Sequence, residues 1–147
     1  MALREIIFRG KRLDNGEWVE GCFVEKKDPL LESDVRNAFI LAQGRGDSFV
    51  TWFPVDPTTV GQFTGLVDKN GKRIFEGDVC RFREWSRGEM CWVGNIHYEN
   101  QQFVISGGPN KECETPFCLQ LSRFIPENIE VIGNIHNPEL LEVTPDA

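Results

Sequence analysis

The sequence predicts a mainly β protein with little helix: an SH3-like small β-barrel lobe preceded by an N-terminal β-hairpin or sheet lobe. Three observations point there. Apolar runs are short and rich in aromatic and β-branched residues, turn residues recur at close spacing, and prolines interrupt the chain where ladders would end. With 147 residues, 40% of them hydrophobic and including eleven Phe and four Trp, the chain can build a core without disulfides or metal.

In chain order, Ile6-Ile7-Phe8 and Trp18-Val19 flank Asp14-Asn15-Gly16. Asp and Asn tolerate left-handed backbone angles and Gly adopts them readily, so this is a first hairpin that continues into Cys22-Phe23-Val24. Lys26 to Ala38 is polar and reads as a loop. Phe39-Ile40-Leu41-Ala42 and Phe49-Val50-Thr51-Trp52-Phe53 are strands around a hairpin loop at Gly44-Arg45-Gly46-Asp47. Pro54 and Pro57 then mark a lobe boundary, because proline lacks a ladder donor. The lobes are placed at residues 1–57 and 58–147, with one continuous domain over 1–142 as the alternative.

The second lobe opens with Val60 to Leu66. Asp68-Lys69-Asn70-Gly71-Lys72 is a tight turn into Arg73-Ile74-Phe75, and Glu76-Gly77-Asp78 turns again into Val79 to Arg83. Cys91 to Tyr98 is a long strand, turned by Glu99-Asn100-Gln101-Gln102 into Phe103-Val104-Ile105. Ile129 to Ile135 is the last strand, and Asn137-Pro138-Glu139-Leu140-Leu141 reads as a capped helical turn. Val60-Gly61-Gln62-Phe63, Val93-Gly94-Asn95-Ile96 and Ile132-Gly133-Asn134-Ile135 share one pattern, expected where strands of a small barrel bend at glycine.

Several of these runs resemble the YopX family of phage and prophage proteins. Arg4-Glu5-Ile6-Ile7-Phe8-Arg9 looks like the family's opening strand. Thr59 through Asp78 is similar to its central signature, and Glu130 through Leu141 to its closing one. The resemblance implies a β-rich fold with an SH3-like barrel and a gene carried by a phage or prophage. It brings no established reaction, so it assigns no catalytic residue. The signature is built from turn chemistry, which specifies shape before it specifies function.

Charge and cysteine usage narrow the function further. The net charge is −7, which disfavours general attraction to phosphate backbones. Five cysteines, an odd number, with no apolar leader in the first twelve residues suggest reduced cytoplasmic thiols, and the phage resemblance implies that the cytoplasm is a bacterial host's. No run approaches the length of a membrane span, so no membrane partner is expected. Metal is not expected either, because Cys113 and Cys118 lack the short spacing of zinc ligands and His97, His136, Cys80 and Cys91 are scattered. No cofactor motif occurs. The Asp68 loop fails as an EF-hand, since its glycine arrives fourth and Val79 stands twelfth. Glu76 and Asp78 flank Gly77 and read as solvated carboxylates on a turn.

The binding candidate is Arg81, Arg83, Trp85 and Arg87, which mix cations with aromatics at the barrel edge. Glu84 and Glu89 dilute the patch. The leading expectation is a non-catalytic binding or scaffolding protein that self-associates or engages a phage or host protein; Phe49 to Phe53 reads either as core or as a strand pairing across a symmetric interface. A nucleic-acid-binding accessory protein using the Arg/Trp loop, and an unrecognised enzyme centred on the histidines or cysteines, are the alternatives.

Overall fold

The computed structural model describes residues 5–27, 36–43, 49–84, 90–107 and 116–137. The chain divides into two compact units, Met1–Phe63 and Thr64–Ala147. Both are antiparallel β structures, so the mainly β reading holds, and the described residues contain short 3-10 turns but no α-helix.

The first unit runs through β1 (Phe8–Lys11), β2 (Trp18–Lys27), β3 (Arg36–Gln43), β4 (Val50–Pro54), a 3-10 turn at Pro57–Thr59 and the start of β5 (Gly61–Val67). Its strand order is β4-β3-β2-β1-β5. The first hairpin turns where the sequence indicates. Gly16 takes φ +71°, and the Asn15 side-chain oxygen accepts the Glu17 N–H at 2.9 Å. Side chains alternate across a strand. One face therefore carries Ala38 and Ile40, which with Val55 form a small core under Phe8, Val19, Phe23 and Val60. At Gly21 a Cβ would lie 2.0 Å from the Leu41 carbonyl oxygen, so only glycine lets β2 and β3 approach there.

The β4 ladder runs one residue past Pro54, where Val55 still donates its N–H to the Ala38 carbonyl at 3.0 Å. Pro57 starts the 3-10 turn, and the Asp56 carboxylate caps it by accepting the Thr58 N–H at 3.0 Å. Thr59 Oγ1 accepts the Lys11 N–H at 2.9 Å and donates to the Asp56 carbonyl at 2.6 Å, tying the turn to β1.

In the second unit the end of β5 is followed by β6 (Arg73–Phe75), β7 (Asp78–Glu84), β8 (Met90–Glu99), β9 (Gln102–Gly107), β10 (Phe117–Gln120) and β11 (Ile129–Asn134). Turns Leu121–Arg123 and Pro126–Asn128 precede β11. The main sheet has the order β10-β9-β8-β7-β11. Its core is aromatic: Phe82 meets Phe124, Phe117 and Trp92 edge-on at 4.9, 5.5 and 5.9 Å between centroids. Ile74, Cys80, Ile96, Ile105, Leu121 and Ile129 fill the space around them. The β8–β9 hairpin turns through Asn100 (φ 51°) and Gln101 (φ 63°), the paired positive angles that let a two-residue turn follow strand twist.

Two expectations need correction, and one strand was not anticipated. Lys26, Lys27, Arg36 and Asn37 are not loop: Lys26 pairs with Asn37 and Lys27 with Arg36, extending the β2–β3 hairpin. Lys26 and Asn37 are exposed, at the end of a ladder whose backbone bonds do not depend on side-chain type. Strand β10 had no signal, because only Phe117 of its four residues is buried and period-2 alternation is too short to read. The shared glycine motif has no single cause. Gly133 sits at a β-bulge between Val131 and Gly133, whereas a Cβ at Gly94 would come within 2.7 Å of the Ser106 carbonyl oxygen on β9. The loop at 44–47 and the turn at 138–141 lie outside the described residues.

Candidate functional site

β7 presents the first two candidate residues. Arg81 and Arg83 are two apart, so both point to the face opposite Phe82, which is sealed in the core. They line a cleft of about 390 Å3 with Lys69, Glu127, Asn128 and Glu130. The cleft forms because β11 begins only at Ile129, opposite Phe82, with the Pro126–Asn128 turn leading into it. Trp85 and Arg87 lie outside the described residues.

The charges in the cleft are mixed. Glu130 stands directly across the ladder from Arg81, and its carboxylate lies 3.1 Å from Lys69 Nζ. Three cations therefore face two carboxylates. Among the described residues Arg81 and Arg83 form no ion pair at 4.0 Å or less. An anionic group would find two guanidinium forks here, but it would also meet Glu127 at the rim.

The signature carboxylates are structural. Asp68, 2% exposed, accepts the N–H groups of Asn70 and Lys72 at 2.9 Å and of Val131 at 3.0 Å. It thus holds its own turn together and fastens that turn to β11. Asp78 is not solvated as expected but 1% exposed; it accepts the Phe75 N–H at 2.8 Å and the Asn134 amide at 3.1 Å. An acid between two turn residues looks exposed in sequence, and the distant partner that buries it is invisible there. Glu76 is half-buried.

The two histidines differ. His136 donates its backbone N–H to Asn134 Oδ1 at 2.8 Å, closing the chain after β11. His97 lies between Glu99 and Ser106: Nε2 is 3.0 Å from Glu99 Oε2, and Nδ1 is 3.3 Å from Ser106 Oγ. Cys118 Sγ is 4.0 Å from the same Glu99 oxygen. Sequence reasoning missed this cluster because three strands contribute to it. Side chains of His97 and Glu99 are 37% and 52% exposed, so water competes for each contact. Among the described residues no group of three His, Cys, Asp or Glu is placed to hold a metal ion, and no helix is long and apolar enough to cross a membrane.

The other candidate is the run at Phe49 to Phe53. β4 is the edge of its sheet, and Phe49, Val50 and Trp52 are 79%, 56% and 51% exposed. The register places Trp52 opposite Leu41 and Pro54 opposite Phe39, on the face turned away from Ile40 and the core. Trp52 meets the Phe39 ring edge-on at 5.7 Å. From Asn37 to Gln43 and from Phe49 to Pro54 no side chain is charged.

No curated protein matches the chain. Among solved structures, the crystal structure of protein EF1440 from Enterococcus faecalis is similar, with 26% identity, a TM-score of 0.51, and coverage of 93% of this chain and 98% of that one. The YopX protein family matches residues 7–142, nearly the whole sequence, and the chain belongs to that family.

Proposed function

We propose that this is a non-catalytic binding or scaffolding protein, carried by a phage or prophage and acting in the bacterial cytoplasm, which works by joining protein surfaces. The observation that carries this reading is β4 and the residue before it: a charge-free edge on which Phe49, Val50 and Trp52 are open to water. Exposed apolar edges are normally blunted by charge, proline or cover, and contiguous exposed apolar surface marks interaction sites. Further support comes from the signature, whose buried carboxylates serve turns and ladders. For the second unit, short antiparallel strands with a 3-10 turn before the last one favour an SH3-like barrel.

The test is capture of partners from prophage-bearing cells by the full chain and by Trp52→Lys, followed by identification and reconstitution with the purified partner. Loss of a reconstituted complex on Trp52→Lys is expected. A complex that binds both forms equally would overturn β4 as the binding edge.

The cleft favours a second reading, a nucleic-acid-binding accessory role through Arg81 and Arg83 with Trp85 and Arg87. Its support is the pair of arginines without an ion pair among the described residues; Glu127 and Glu130 weigh against a polyanion. It predicts single-strand binding at low salt that weakens on Arg83→Ala and on added salt. No binding at low salt would remove it.

A further inference from the structure

We propose that β4 pairs with β4 of a second copy of this chain, antiparallel about a two-fold axis at Thr51. This rests on the protein-binding reading of the same edge and names its occupant and register.

The backbone decides which groups are available. Val55 donates its N–H to the Ala38 carbonyl at 3.0 Å, so it points towards β3. Polar groups alternate along a strand. Phe53 and Thr51 therefore also face β3, whereas Pro54, Trp52 and Val50 face outward. The outward carbonyl of Pro54 already accepts the Leu13 N–H at 3.0 Å, and proline has no N–H to offer. Val50 and Trp52 are left as the open stretch of edge.

Only one antiparallel register uses both. With Thr51 opposite Thr51 of the second copy, Val50 of each copy stands opposite Trp52 of the other, and each such pair exchanges two N–H···O bonds. A register centred on Trp52 would set Val50 against Pro54, whose carbonyl is taken. The Thr51 register also seats a β-branched side chain beside an indole, a favourable cross-strand combination.

Charge selects a like copy over a charged partner. Each chain carries −7, so the repulsion between two copies is least where the facing strips carry no charge. The run from Phe49 to Pro54 is uncharged, as is the neighbouring run from Asn37 to Gln43. An identical uncharged strip is complementary to it, and a two-fold makes the match reciprocal. The exposed side chains of Phe49, Val50 and Trp52 offer on the order of 300 Å2 per copy. Two copies together bury roughly 600 Å2 of side-chain surface, below the size of stable interfaces, so the pairing is weak, reversible and concentration-dependent.

Sedimentation of the purified full chain across a concentration series tests this, beside Val50→Lys and Trp52→Lys with far-UV circular dichroism as a folding check. Wild type is expected to rise from one to two chain masses, or to a larger assembly containing such pairs. Both lysine variants should stay folded and shift the rise to at least tenfold higher concentration. Oxidised Thr51→Cys should form a covalent dimer above the wild-type background, and Thr58→Cys, off the strand, should not. A wild type that stays monomeric throughout overturns self-pairing yet leaves the protein-binding reading intact, provided Trp52→Lys loses a reconstituted complex. Association unchanged in both folded lysine variants overturns β4 as the interface. Association that the lysines abolish but Thr51→Cys cannot trap overturns the register.

Discussion

β4 and β11 are both antiparallel edge strands, one in each unit, and they are finished in opposite ways. Along β11, the Asp68 turn takes up the edge: Asp68 accepts the Val131 N–H, and the Lys69 N–H reaches the Ile129 carbonyl at 3.0 Å. At its far end the Ile135 N–H bonds the Gly77 carbonyl at 2.9 Å. Along β4, among the described residues, Leu13 takes the Pro54 carbonyl and the Arg12 guanidinium lies over the Phe53 ring, while the strand shows Val50 and Trp52 to water. The first edge is closed by one buried carboxylate, Asp68, and by backbone groups of the neighbouring turns. The second is left apolar, which costs stability and solubility unless another surface covers it. The difference separates residues that make the fold from residues free to recognise something.

Substitutions in the second unit should be the most damaging. Phe82→Ala removes the ring on which three other aromatics converge and should cost about 4 kcal/mol in urea unfolding. A cost near that of a surface change would refute the aromatic core. Next comes Asp68→Ala, which strands three backbone N–H groups and should cost about 3 kcal/mol. Asp68→Asn should cost less, because one oxygen can still serve the turn. Equal losses would mean that the bond to Val131 dominates.

Gln101→Gly acts in the other direction. It relieves a left-handed backbone angle outside any packed contact and should raise stability by about 0.5 kcal/mol, seen as a higher thermal midpoint. The smallest effect on the fold is expected at the open edge. Phe49→Ser should change unfolding free energy by less than about 0.5 kcal/mol, because the ring is 79% exposed. A large loss there would mean that the edge belongs to the core and would erase the contrast between the two strands.

Most of the fold was legible because its signals are local. Asp14-Asn15-Gly16, Asp68 to Lys72 and Asn100-Gln101 each carry their turn within a few residues. The strands between them are short apolar runs. What could not be read depended on partners far along the chain. Asp78 is paired with Asn134, 56 residues on. β10 is held by β9 and not by its own pattern. Of the candidate site, the side-by-side placement of Arg81 and Arg83 follows from strand alternation alone. The two glutamates that share their cleft arrive from another strand and turn.

By itself, the sequence determined an antiparallel β chain, its turn positions and its membership in a family recognised by those turns. Tertiary structure decided which carboxylates are buried and which apolar run stays exposed. The physical reason is range: backbone angles are set by neighbouring residues, whereas burial is set by whichever distant segment arrives to cover a side chain or fails to.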